Sequence, residues 1–144
     1  MFRLDDKREP KIEGLGVFGT PKHVDSRGYF TENWRKHDLL EFGVPESFFE
    51  GKLQNNVSKS HAGTIRGIHC QGYPKFMTVA QGIFRMVFID LRLGSETYKA
   101  VDIIDVTPGV SIFVPAGVAN GAQSLEDEGI LNYLVTDYYE PNKD

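Results

Sequence analysis

Glycine and proline interrupt this chain so often that no long helix can run through it. Fifteen glycines and seven prolines are spread over 144 residues. Pro108-Gly109 and Pro115-Ala-Gly117 are strong turn signals, because proline presets φ and glycine accepts φ > 0. Gly14, Gly16, Gly19-Thr-Pro21, Asp25-Ser-Arg-Gly28, Gly82 and Gly94-Ser add further breaks. Between them lie runs rich in β-branched and aromatic residues, roughly Arg85 to Leu91, Val101 to Val106, Ser111 to Val114 and Ile130 to Thr136. Strands at this spacing predict an all-β, mostly antiparallel sandwich or barrel.

Two runs speak to burial. In Phe84-Arg-Met-Val-Phe-Ile-Asp-Leu91 both alternating faces are largely apolar, which predicts a strand covered on both sides. In Ile130-Leu-Asn-Tyr-Leu-Val-Thr136, Leu131, Tyr133 and Val135 share one face, opposite Asn132 and Thr136. One helix is expected, from about Glu32 to Phe42 with Gly43 as its stop. It is short and weakly amphipathic, which suits packing at a barrel rim. The chain shows no repeat, linker or heptad, so residues 1–144 read as one domain.

Charge and cysteine content exclude several classes of function. Sixteen basic and twenty acidic residues give a net charge of −4, and no basic stripe is present. Nucleic-acid binding needs clustered Lys and Arg, so it is not expected here. The single cysteine, Cys70, excludes an intramolecular disulfide and fits a reducing cytoplasm. No apolar run is long enough to span a bilayer, and the N-terminus lacks the apolar stretch of a signal peptide. The expectation is a cytoplasmic protein without a membrane partner.

Among four histidines only His69 has a patterned setting, Thr64-Ile-Arg-Gly-Ile-His-Cys-Gln71. Regular alternation would put Arg66 and His69 on opposite faces of a strand, whereas a bulge at Gly67 would bring both to one side. Read alone, His69 is better explained as a hydrogen-bonded core histidine, since a lone Arg-Gly-Xaa-His is a weak signal. A metal on a His-Xaa-His pair is not supported, because Gln71 stands two residues after His69. There is no Gly-Xaa-Gly-Xaa-Xaa-Gly or Gly-Lys-Ser/Thr phosphate cradle and no nucleophile-elbow serine.

Seven segments in order carry a more specific signal. They are Asp25-Ser-Arg-Gly-Tyr-Phe-Thr-Glu32, Gln54-Asn-Asn56-Val-Ser, Ile65-Arg-Gly-Ile-His69-Cys-Gln71, and Lys75 ahead of Val79-Ala-Gln-Gly82. Then come Ile89-Asp-Leu-Arg-Leu-Gly-Ser95-Glu-Thr, Val114-Pro-Ala-Gly-Val-Ala-Asn-Gly121 and Tyr133-Leu-Val-Thr-Asp-Tyr-Tyr139-Glu-Pro141. Over about residues 20–141 the chain resembles the dTDP-4-dehydrorhamnose 3,5-epimerase family. The resemblance implies a cupin or jelly-roll-like antiparallel β-barrel with one or two short helices. It also implies epimerisation at C3, C5 or both of a nucleotide-linked 4-keto-6-deoxysugar.

Inverting a carbon next to a ketone needs a base, stabilisation of the enolate, and an acid on the opposite face. It needs neither metal nor redox cofactor. The resemblance assigns His69 as base, a role a neutral imidazole suits near pH 7, and Tyr133 as acid. Lys75 and Arg66 match the cations that stabilise the enolate oxygen and hold the substrate. Arg27 and Glu32 resemble nucleotide contacts, with Gln54, Asn55 and Asn56 beside them, and Phe30 and Tyr139 offer aromatic surface to the base. The family also implies a homodimer, formed by N-terminal strands joining a neighbour's sheet.

Departures from the family pattern are specific. Asn120 stands where the family usually carries a histidine, which alters a polar contact to the sugar. The loop from His69 to Lys75 is shorter than usual. The sequence ends at Asp144, ahead of a family segment whose aspartate orients the catalytic histidine, leaving Asp90 or another group to replace it. Two alternatives accompany the epimerase reading. A keto-isomerase would use the same enolate chemistry but usually shows a second histidine where Gln71 stands, and a sugar-nucleotide-binding protein would have lost catalysis.

Overall fold

The computed structural model describes residues 2–3 and 10–140. Twelve short strands, one six-residue α-helix and one 3₁₀ turn are described. The first four are β1 (Phe2–Arg3), β2 (Gly16–Gly19), β3 (His23–Asp25) and β4 (Gly28–Phe30). Helix α1 (Lys36–Glu41) and a 3₁₀ turn (Glu46–Phe49) follow. The chain then runs through β5 (Gln54–Ser60), β6 (Ile65–His69), β7 (Lys75–Gln81) and β8 (Phe84–Asp90). It closes with β9 (Val101–Val106), β10 (Val110–Val114), β11 (Val118–Ser124) and β12 (Gly129–Val135).

These strands make two facing sheets, one of six strands in the order β1-β2-β10-β7-β12-β5 and one of four in the order β6-β11-β8-β9. Every pairing is antiparallel, and β3 and β4 form a separate hairpin. This is the all-β, cupin-like sandwich expected.

Alternation puts one face of each sheet into a shared core. Val17, Met77, Val79, Ile112 and Leu131 from the larger sheet meet Phe84, Met86, Phe88, Val106 and Val118 from the smaller. Fully burying a side chain of this size contributes about 1.5–3 kcal/mol. The other face of β8 is not covered as expected: Arg85 is exposed, and Val87 and Ile89 are half-buried. Its apolar residues line an outer surface rather than a second core.

A second cluster lies on the outer face of the six-stranded sheet. Phe18, Phe76, Phe113 and Leu134 point outward there and are capped by Leu39 of α1, with Val44 and Phe48. The helix is therefore shorter than the sequence suggested and packs on a sheet face, because four sheet side chains supply the apolar surface that Leu39 needs. No helix among the described residues is long and apolar enough to cross a membrane.

Asp90, the carboxylate offered as a partner for His69, is committed elsewhere. It is fully buried and accepts hydrogen bonds from Arg92 Nη2 at 2.7 Å, Ser95 Oγ at 2.7 Å and Thr97 Oγ1 at 2.6 Å. The Arg92 guanidinium beside it, helped by those hydroxyls, holds the carboxyl well below the ordinary carboxylate range despite its burial. Asp90 is thus a knot that closes the loop after β8. It does not orient the base.

Candidate active site

Between the two sheets, on the side of edge strands β5 and β6, lies a cleft of about 780 Å³. The larger sheet contributes Gln54, Asn56 and Ser58 from β5, Lys75 and Met77 from β7, and Leu131, Tyr133 and Val135 from β12. The smaller contributes Arg66 and His69 from β6 with Asn120 and Ala122 from β11. The residues from β5, β7, β12 and β11 follow the period of two that sends alternate side chains to one face, whereas Arg66 and His69 of β6 do not. Asn55 falls on the other phase of β5 and is exposed.

A bulge brings Arg66 and His69 to the same wall. Asn120 pairs with His69 and Ala122 with Arg66, so Gly67 and Ile68 together oppose the single Gly121. Gly67 has φ +106°, and a Cβ there would stand 2.8 Å from the Asn120 carbonyl oxygen. Only glycine fits both the backbone and the space. Gly67→Ala is therefore expected to cost about 1–3 kcal/mol of stability and to weaken ligand binding by splaying Arg66 from His69. Calorimetry and nucleotide titration of the variant check both effects.

Arg66, Lys75 and Asn120 are held by identifiable partners. Arg66 Nε donates to Ser60 Oγ at 3.0 Å and Nη2 to the Lys59 carbonyl at 3.0 Å, which ties the guanidinium across to β5. Lys75 is buried, and its Nζ donates to Asn120 Oδ1 at 3.4 Å. Asn120 Nδ2 in turn donates to the His69 carbonyl at 3.3 Å. Burial pushes the Lys75 ammonium down to about 8, partly opposed by the neighbouring Cys70. The His69 side chain is exposed to the cleft, with no hydrogen bond to its imidazole among the described residues.

The outer end of the cleft is polar and aromatic. Gln54 Nε2 donates to Asn56 Oδ1 at 2.6 Å, and the Tyr139 N–H donates to Gln54 Oε1 at 3.0 Å. Lys52 fixes the same segment through Asp137 at 2.8 Å. Ser58 Oγ and Gln71 Oε1 are buried in the cleft wall without a hydrogen-bond partner among the described residues. Sequence reading missed Ser58, Gln71 and Tyr138, although Ser58 continues the Gln54, Asn56 alternation that already pointed to it.

Of the residues singled out in the sequence, His69, Tyr133, Gln54, Asn56, Arg66, Lys75, Asn120 and Tyr139 share this cleft. Arg27, Phe30 and Glu32 do not line it. Arg27 is paired with Asp25 at 2.6 Å on the exposed hairpin, and Phe30 stacks on His23. Glu32 pairs with Arg35 beside a smaller hollow that Trp34 and Asp38 also line.

An antiparallel sandwich whose open end gathers an imidazole, a phenol, an ammonium and a guanidinium has the make-up of a cupin-like acid–base enzyme. The family model described as dTDP-4-dehydrorhamnose 3,5-epimerase matches residues 9–144. A Streptococcus pyogenes serotype M6 protein described as an RmlC homolog is 45% identical over 133 residues, covering 90% of this chain and 66% of its own. The solved structure of RmlC from Streptococcus suis in complex with dTDP-D-xylose matches with a TM-score of 0.86 at 45% identity, over 91% of this chain and 68% of that one. ChmJ, a 3'-monoepimerase from Streptomyces bikiniensis in complex with dTDP-quinovose, matches with a TM-score of 0.80 at 30% identity, over 98% and 70%. The chain spans about two-thirds of the length of these relatives. It belongs to the dTDP-4-dehydrorhamnose 3,5-epimerase family.

Proposed function

We propose that the protein epimerises a dTDP-linked 4-keto-6-deoxysugar at C3, C5 or both, through an enolate and without a metal or redox cofactor. The observation that carries this reading is the sharing of one cleft by His69, Tyr133, Lys75 and Arg66 in a chain of this family. The His69 imidazole takes the proton from the carbon beside the ketone. Electron density moves onto the C4 oxygen, where the Lys75 ammonium and Arg66 guanidinium face the developing negative charge. The Tyr133 phenol returns a proton on the opposite face, which inverts the carbon.

Gln54, Asn56 and Tyr139 hold the nucleotide in this reading. Incubation of a dTDP-4-keto-6-deoxysugar in D₂O tests it: deuterium entering C3 or C5, read separately by proton NMR, is the expected result. Tight binding without exchange at either carbon would replace the epimerase with a binding protein. Cys70, a free and exposed thiol, supports a cytoplasmic setting.

A homodimer accounts for Arg27, Phe30 and Glu32. The β3–β4 hairpin leaves Val24 78%, Tyr29 48% and Phe30 63% exposed, a short apolar patch open to a partner. If those residues serve the nucleotide, they reach the cleft of a second copy. β1 pairs with β2 of the same chain, and residues 4–9 lie outside the described residues. Sedimentation at micromolar concentration is expected to show a dimer, and a monomer there would remove this assignment.

A further inference from the structure

Asn120 uses both ends of its side chain inside the protein. The amide is 5% exposed, its Oδ1 accepts from Lys75 Nζ, and its Nδ2 donates to the main-chain carbonyl of His69. An amide occupied in this way is poorly placed to serve as a direct sugar contact. What it does is join three elements, because β11 carries Asn120, β7 carries Lys75 and β6 carries His69. We infer that Asn120 is a positioning residue, which fixes the Lys75 ammonium relative to the backbone of His69 and acts on substrate only through those two groups. The inference rests on the epimerase reading for its catalytic meaning but on geometry for the contact itself.

The neutrality of the amide is the chemical point. A buried lysine held by a carboxylate spends its charge on that partner, whereas one held by an amide oxygen keeps it for the ligand. The titratable groups that line the cleft with Lys75 come from two directions. From β6 and the turn after it come Arg66, His69, Cys70 and Tyr73; from β12 and the segment beyond come Tyr133, Asp137, Tyr138, Tyr139 and Glu140. Opposite Lys75 in the sheet stand Val114 of β10 and Val135 of β12, both apolar. Among the described residues Asn120 Oδ1 is the hydrogen-bond partner of Nζ. Burial lowers the ammonium toward neutral pH, with Cys70 opposing the shift, and a neutral amide at Nζ adds no counter-charge to restore it.

Asn120→Ala, Asn120→Ser and Asn120→Asp test the inference, with folding followed by circular dichroism. The first readout needs no substrate: the titration of Lys75, followed through the ¹³Cε signal of labelled lysine and assigned with Lys75→Met. Asn120→Asp is expected to raise its midpoint by about one unit or more, because an opposite charge within bonding distance favours the ammonium. A midpoint unchanged in folded Asn120→Asp would overturn the inference. The second readout is steady-state exchange. Asn120→Ala is expected to lower kcat by on the order of 10-fold or more while KM stays within about twofold, with Asn120→Ser between it and wild type. A raised KM with unchanged kcat would make Asn120 a substrate contact instead. Wild-type protein without exchange on any dTDP-4-keto sugar would remove the epimerase reading, and the Lys75 midpoint would still decide the positioning role.

Discussion

His69→Ala is expected to abolish proton exchange at the carbon beside the ketone, while Tyr133→Phe is expected to keep exchange and lose inversion. The base acts first and trades its proton with solvent, so enolate formation alone is enough to wash deuterium into the sugar. Inversion also needs a donor from the other face, which is the role given to the phenol. General acid–base groups contribute about 10²–10⁴-fold, so both losses stand far above assay noise. His69 and Tyr133 sit on different sheets, β6 and β12, and both reach the cleft from opposite walls. That placement suits transfer to and from opposite faces of a flat enolate. Loss of exchange in Tyr133→Phe as complete as in His69→Ala would sink the division of labour.

Lys75→Met is expected to stabilise the fold and disable the enzyme. At pH 7 the buried ammonium is retained in both the folded and the unfolded chain, and the cost of burying it is present in full. Its folded value lies near 8 against an ordinary 10.5. Between those values the unfolded chain binds more protons than the folded one, so stability rises as pH rises through that window. Methionine has similar length and no charge, which removes the cost. The expected gain at neutral pH is ~1–3 kcal/mol, discounted for the open side of the cleft. Denaturant titration from pH 7 to 11 checks the sign: wild-type stability should climb toward that of the variant, whose own profile lacks this rise. Exchange activity should fall by about 10²–10³-fold, since a preorganised charge facing the enolate is lost. A variant less stable than wild type at pH 7 would show that the Lys75 contact with Asn120 outweighs the desolvation cost.

This opposition between stability and chemistry recurs in the strand that faces the cleft. β5 reads Gln54-Asn-Asn-Val-Ser-Lys-Ser60, with little of the β-branched and aromatic character that marks a strand, so its sequence predicts none. The same holds for β11, Val118-Ala-Asn-Gly-Ala-Gln-Ser124. Both are strands because their neighbours complete their ladders, β12 for β5 and β8 and β6 for β11. They are polar or small because the cleft needs side chains that bond a ligand and leave room for it. Local propensity fails where function sets the composition.

Much was decided by the residue pattern alone. Turn residues at short intervals required short strands, and alternation within Ile130 to Thr136 placed Leu131, Tyr133 and Val135 on one face, which is the cleft face. The ordered motifs identified the family and most of the residues that meet in the site. The tertiary structure decided what a one-dimensional pattern cannot carry. It sent Asp90 to Arg92 rather than to His69, laid α1 on an outer sheet face, and left Asn55 in solvent. It also joined Asn120 to Lys75, residues 45 apart in the chain and on different sheets. Alternation fixes the face a side chain takes, but which groups meet across a cleft depends on register between strands distant in sequence, and register is settled by the packing of the whole sandwich.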